Sequence, residues 1–186
     1  FVNYDDPVYV TENLRVSSGL TWEGVKWAFG RLHGERTYWH PLTWVSHMVD
    51  CQVFGLGPAG HHLTNVLFHL LNAMLVFLVF LRMTGAFWRC AVLAGLFALH
   101  PLQVDTVAWV AERKNLLAGL FGMLGIWAYV EYARKSQVQS PESKVQDAKF
   151  VVRGPWSIVR GPSALFYLLS LACFALSLMC KPALVT

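Results

Sequence analysis

The chain has 186 residues, 55% of them hydrophobic and 14% charged, with eight Trp, twelve Phe and a formal net charge of +4. This lies well to the apolar side of ordinary globular usage and points to a membrane protein. The positive charge does not indicate a nucleic-acid binder, because apolar segments divide the basic residues into separate groups instead of leaving one continuous patch.

The first stretch, FVNYDDPVYV, sets two adjacent carboxylates, Asp5 and Asp6, among aromatic and β-branched residues. A DDP sequence alone more commonly opens a turn. Through residue 60 the chain interleaves aromatics with charges, a composition that suits segments lying in the headgroup layer. Two short helices are expected there. Thr21 can cap one in which Trp22, Val25 and Phe29 form an apolar stripe, and Pro41 can open another in which Leu42, Val45 and Val49 do so. Both stripes fit either the membrane surface or packing against a helix bundle.

After a Gly/Pro-rich turn, FGLGPAGHHLTN, four apolar windows follow, at about residues 62–81, 88–102, 115–133 and 163–180. Each is near the length needed to cross a hydrocarbon core of about 30 Å, although His100-Pro101 interrupts the second. In the first window His62, Asn65, His69 and Asn72 fall within about 80° of one another on a helix. Such a stripe can join helices by hydrogen bonds or line a wet cavity. In the segment 97–115, FALHPLQVDTVAWVAERKN, a helical stretch would put Asp105, Trp109, Glu112 and Leu116 on one face. Arg113 and Lys114 follow. They can meet an anion such as a phosphate, pair with Glu112 or Asp105, or reach toward the interface.

Arg82 and Arg89 flank the first link between windows, and Arg134, Lys135, Lys144, Lys149, Arg153 and Arg160 crowd the third. By the positive-inside rule both links are cytoplasmic, so residues 1–60 and the 103–114 link lie on the opposite face. The expected fold is all-α: a polytopic membrane helix bundle, with a non-cytoplasmic loop at 1–60 bearing interfacial helices, four spans over 61–186, and a flexible cytoplasmic loop at about 134–162. Beginning at Phe1 and stopping within an apolar run, the chain reads as a piece of a longer protein, with an N-terminal span and a C-terminal region missing.

The four cysteines form no disulfide framework and no CxxC pair, and the histidines match neither HExxH nor a zinc-finger spacing. No metal site is assigned, nor any P-loop, GxGxxG or GxSxG. What remains is an acidic pair, a polar stripe and a His/Asp/Arg/Lys hairpin on one face. Together they suit transfer of a group from a phosphate leaving group to a hydroxyl, with a carboxylate taking the proton and cations stabilising the phosphate.

The segments NYDDPVYV, HPLTWVSHMVD, GPAGHHLTNVLFHLLN and HPLQVDTVAWVAERKNLLAG, in this order, resemble the transmembrane and tetratricopeptide-repeat (TPR) containing O-mannosyltransferases and their bacterial relatives, of the class C glycosyltransferase superfamily. The family commonly has Glu where Asp105 stands and Asp where Asn115 stands. The resemblance implies an inverting glycosyltransferase that moves a hexose such as mannose from a polyprenyl-phosphate sugar to a hydroxyl of a protein or glycan outside the cytoplasm. Its membrane would be a bacterial inner membrane or the endoplasmic reticulum. Asp5 and Asp6 are then the candidates for the catalytic base. By placement, Arg113, Lys114 and His100 are candidates for the donor phosphate, and His62, Asn65, His69 and Asp105 for the cavity wall. No cofactor is assigned beyond the lipid-linked sugar as substrate, and a divalent cation is compatible. The alternatives are a non-enzymatic membrane scaffold and a transporter.

Overall fold

A computed structural model of the chain describes residues 6–30, 39–138 and 164–181. Asp5 and most of the polar link after the third window lie outside the described residues, among which there are helices and no strands. A π turn at Pro7–Thr11 leads to α1 (Leu14–Ser17), α2 (Trp22–Phe29) and α3 (Pro41–Phe54). Then come α4 (Pro58–Thr84), α5 (Phe87–Leu99), α6 (Gln103–Ala108), a 3₁₀ turn at Val110–Glu112, α7 (Arg113–Val138) and α8 (Ala164–Cys180).

Two helical stretches, Pro58–Thr84 and Val110–Ser136, are long and apolar enough to cross a membrane, and Phe87–Leu99 and Ala164–Cys180 are shorter apolar helices. Helix α4 begins on Pro58, whose missing N–H costs nothing in the first turn, so it takes in part of the expected Gly/Pro turn. It stops at Gly85, whose φ of 69° lets its N–H return to the Leu81 carbonyl. Helix α7 runs on to Val138, into sequence expected to be loop.

Along α4 the buried residues are His61, Asn65, His69, Asn72, Val76 and Val79, while Leu63, Leu67, Leu70, Met74 and Leu78 are exposed. Polar side chains inward and leucines outward is the arrangement for apolar surroundings. Of the two placements open to the apolar stripes of α2 and α3, the outward one is seen on α2, while α3 divides its stripe, with Leu42 and Val45 half-buried and Val49 exposed. Thr21 caps α2 as expected, accepting from the Gly24 N–H at 3.0 Å. Yet Gly24 and Ala28 face inward, leaving Trp22 71% and Phe29 43% exposed. In α3 the buried face holds Thr43, Trp44, His47, Met48 and Asp50, and Val49 points out.

Tyr9, Val10, Val16, Ala28, Trp44, Met48, Val110 and Ala111 form one core, which fixes the N-terminal helices against the start of α7. Tyr9 and Trp44 stack within it, their ring centroids 4.6 Å apart. Helix α8 lies along α7, where the Ser170 and Ser177 hydroxyls donate to the Gly125 and Ala118 carbonyls at 2.9 and 2.8 Å. Small side chains permit that approach: a Cβ on Gly125 would stand 3.4 Å from the Ser170 carbonyl oxygen. All four cysteines are buried and free.

Candidate functional site

The expected helical face carrying Asp105, Trp109, Glu112 and Leu116 does not form, because the helix breaks between α6 and α7. Trp109 is extended, with φ −90° and ψ 116°. The broken backbone is satisfied from elsewhere. Asn65, about two turns into α4, donates its amide to the carbonyls of Val107 and Trp109 at 3.3 and 3.2 Å. On the other side of the break, the Ala111 N–H donates to Asp6 Oδ1 at 2.8 Å. Asp6 is fully buried at that point, a carboxylate set at the positive end of a long helix. Asp105 is left exposed on α6, apart from Glu112.

Immediately after the break, Arg113 turns inward and is fully buried. Its Nη2 lies 2.5 Å from Asp50 Oδ2 and 2.9 Å from the His61 carbonyl oxygen. Its Nε donates to Asn65 Oδ1 at 2.8 Å, and Nη1 to Ser46 Oγ at 3.2 Å. Asp50 also accepts from the Thr64 hydroxyl at 3.0 Å and lies 3.3 Å from His61 Nδ1. The guanidinium therefore ties α3, α4 and α7 together from within. His47 is buried beside this group, with no hydrogen-bond partner for either ring nitrogen among the described residues. Burial first, and then the neighbouring Arg113 and His61, hold its imidazole well below the ordinary range.

Lys114 points the other way. Its Nζ lies 2.9 Å from Glu112 Oε1 and 5.2 Å from the centroid of the Tyr9 ring. The Asn115 amide donates to the other Glu112 oxygen, and its own oxygen accepts from Lys181 Nζ at 2.7 Å. Lys181 follows the last turn of α8, and the Thr43 hydroxyl of α3 donates to the neighbouring Cys180 carbonyl at 3.3 Å. His40 stands just before α3 and is buried. Burial, with Lys114 and Lys181 nearby, pushes its pKa down to about 4.

A third feature opens between α4, α5 and α6. His62, His69, His100 and Gln103 line a cavity of about 480 Å³ together with apolar residues that include Val66 and Val107. His69 Nε2 lies 3.0 Å from the Ala98 carbonyl oxygen, and His100 Nδ1 accepts from the Leu102 N–H at 3.2 Å. Neither Asp6 nor Asn65 is among the residues that line this cavity. Asp105 does not line it. A larger, mostly apolar cavity of about 560 Å³ lies deeper, among Asn72, Val76, Phe97, Gly122, Ile126 and Phe174. Among the described residues, no group of three or more His, Cys, Asp or Glu could hold a metal ion.

The structure thus brings Asp6 and Lys114 to the start of α7, and sets His62, His69 and His100 on one cavity between α4, α5 and α6. Asn65 serves the helix break, while His62 and His69 line the cavity. Sequence reasoning did not assign Asp50, His61, His40 or Lys181 to the site. His61 was hidden by its neighbour His62, and α4 turns the first of the pair inward.

No protein-family model and no solved structure matches the chain. Curated proteins do. Protein O-mannosyl-transferase Tmtc2 of Drosophila melanogaster is 29% identical over 147 residues, 74% of this chain and 15% of the relative. Protein O-mannosyl-transferase Tmtc1 of the same organism is 35% identical over 103 residues, 54% and 11% of the two chains. Protein O-mannosyl-transferase TMTC4 of Homo sapiens is 27% identical over 160 residues, 75% and 22%. The chain therefore spans less than a quarter of the length of these relatives. With these matches and two helices of spanning length, the chain is an α-helical membrane protein that resembles the TMTC protein O-mannosyl-transferases.

Proposed function

We propose that this chain contributes the catalytic end of an inverting, class C type glycosyltransferase. In this function a hexose such as mannose passes from a polyprenyl-phosphate sugar to a hydroxyl of a protein or glycan acceptor outside the cytoplasm. Helices α4, α5, α7 and α8 are the four spans, and the acidic pair lies on the non-cytoplasmic face. The acceptor oxygen attacks the anomeric carbon as the bond from that carbon to the phosphate oxygen breaks. The acceptor proton goes to a carboxylate of the Asp5–Asp6 pair, and the phosphate leaves as an anion beside cationic side chains.

One observation carries this function: Asp6, a buried carboxylate held by the Ala111 N–H, stands at the same helix start as Lys114. A fixed acid beside a cation suits proton removal paired with phosphate departure. Two further features support it. The names of the relatives describe O-mannosyl transfer. The apolar cavity among α4, α5, α7 and α8 suits the hydrocarbon of a lipid-linked donor.

The rival reading, a scaffold without chemistry, draws on the polar stripe of α4. Asn65, His69 and Asn72 are all bonded to backbone carbonyls of neighbouring segments, as helix-joining residues would be. Membranes containing the protein, supplied with radiolabelled polyprenyl-phosphate mannose and with other polyprenyl-phosphate sugars, separate the two. Label should reach protein or glycan from at least one donor. A folded protein that transfers from none of them would leave the scaffold.

A further inference from the structure

The cavity between α4, α5 and α6 has polar walls without a fixed charge. His62, His69, His100 and Gln103 line it together with apolar residues, and among the described residues no Asp, Glu, Lys or Arg does so. We propose that this cavity seats the uncharged hexose of a lipid-linked donor through its hydroxyl groups, apart from the phosphate, an assignment that rests on the transferase function above.

The hydrogen bonds already made fix what the walls can offer. A carbonyl only accepts, so the 3.0 Å contact of His69 Nε2 with the Ala98 oxygen puts the ring proton on Nε2 and leaves Nδ1 an acceptor. The ring stacks on Phe97 with centroids 5.7 Å apart, which holds its plane. Its Nδ1 is buried and has no hydrogen-bond partner among the described residues. A buried acceptor left unbonded is unfavourable, and a ligand hydroxyl is a donor that supplies the bond. His100 is set the opposite way: its Nδ1 accepts from the Leu102 N–H, so a neutral ring carries its proton on Nε2 and donates from there. Gln103 adds an amide with both capacities. Sugar hydroxyls donate and accept, and so match this mixed set. A phosphate only accepts, and it would enter this cavity without a counter-charge.

Size and position fit the same occupant. At about 480 Å³ the cavity falls within the range of about 300–1,000 Å³ usual for small-molecule sites. Val66, Leu99 and Val104 belong to its walls and are also exposed. The mouth is therefore apolar on the outside, and a head group can enter while its hydrocarbon stays in lipid. Val107 and Ala108 form another part of the wall, and three residues beyond Ala108 the Ala111 N–H holds Asp6. The segment that walls the cavity thus also fixes the carboxylate proposed as base. His100, expected by placement at the donor phosphate, then serves the sugar.

The test uses the protein in nanodiscs with three probes: polyprenyl-phosphate mannose, polyprenyl phosphate and methyl mannoside. The ratio of the first two affinities isolates the sugar. In His69→Gln the longer amide can still donate to the Ala98 carbonyl, but the acceptor at the Nδ1 position is gone. In His69→Asn the shorter amide keeps an acceptor there and gives up Ala98. Polyprenyl-phosphate mannose should bind His69→Gln about tenfold more weakly, the loss of one hydrogen bond, and polyprenyl phosphate should bind it as it binds wild type. His69→Asn should bind the sugar-bearing lipid more tightly than His69→Gln does while unfolding at a lower midpoint, a ranking that a purely structural His69 would not give. Gln103→Leu removes an amide from the wall and should weaken the sugar-bearing lipid alone. An unchanged affinity ratio in both His69→Gln and Gln103→Leu would overturn the assignment, as would an equal loss for polyprenyl phosphate. Methyl mannoside bound more tightly than polyprenyl-phosphate mannose would overturn the lipid-linked donor as the occupant. Transfer with an unaltered donor KM in both variants would remove the sugar site and leave the transferase standing. A ratio that falls in both variants, in a protein that transfers no sugar, would keep the site and remove the transferase.

Discussion

Arg113 and Asp50, 63 positions apart in the numbering, meet with Nη2 and Oδ2 2.5 Å apart, and both side chains are almost wholly removed from solvent. Removing one member leaves the other as an uncompensated buried charge, which costs about 3–5 kcal/mol. Arg113→Ala and Asp50→Ala should each lower the unfolding midpoint in detergent sharply. Arg113→Lys should recover little, because an ammonium cannot span Asn65, Ser46 and Asp50 as the guanidinium fork does.

Asp6 carries two separable roles. Its Oδ1 accepts from the Ala111 N–H, and an asparagine at this position keeps an acceptor there while losing the ability to take a proton. Asp6→Asn should therefore unfold near the wild-type midpoint. Asp6→Ala should lose about 0.5–2 kcal/mol, as for a lost helix cap. Comparing the two variants by thermal unfolding distinguishes support of α7 from proton chemistry.

Asn65 satisfies two carbonyls at the α6–α7 break and accepts from Arg113. Asn65→Leu strands all three groups, at about 1–3 kcal/mol for each one left buried without a partner. Asn72→Leu gives up one amide bond to the Leu116 carbonyl, a loss of about 0.6 kcal/mol by the average for interhelical bonds in membranes. Unfolding in mixed micelles should rank Asn65→Leu well below Asn72→Leu.

His40 sets a pH dependence with a definite sign. In the folded protein its imidazole stays neutral down to about pH 4, whereas an unfolded His takes a proton near its ordinary value of 6.5. Stability from this residue is therefore full above about pH 6.5 and declines as the pH falls toward about 4. His47, held low by burial, acts in the same direction. His40→Gln should flatten the fall in unfolding midpoint between about pH 7 and about pH 4.5, measured against wild type under identical conditions.

Local periodicity revealed the inward positions Asn65, His69 and Asn72, because a 3.6-residue repeat survives on a straight helix. It left two placements open for the stripes of α2 and α3, because an apolar stripe fits a helix bundle and a lipid surface alike. Val49 and Trp22 are exposed while His47 and Asp50 are buried, the order expected when the surroundings are lipid. The break at Trp109 was not legible, since its carbonyl depends on Asn65, 44 residues away. Lys181 was likewise hidden, its contact with Asn115 lying across 66 residues. Short-range rules see neither.

The acidic pair is the centre of the proposed chemistry, and one comparison tests it most directly. Wild type and the Asp5→Asn, Asp6→Asn double variant, matched for amount and for unfolding midpoint in membranes, are supplied with radiolabelled polyprenyl-phosphate mannose and the alternative donors. The expected result is transfer by wild type and loss of transfer in the double variant, with the fold retained because the amide oxygen that replaces the Asp6 carboxylate still accepts from the Ala111 N–H. Transfer at the wild-type rate by the double variant would contradict the assignment of the base to this pair.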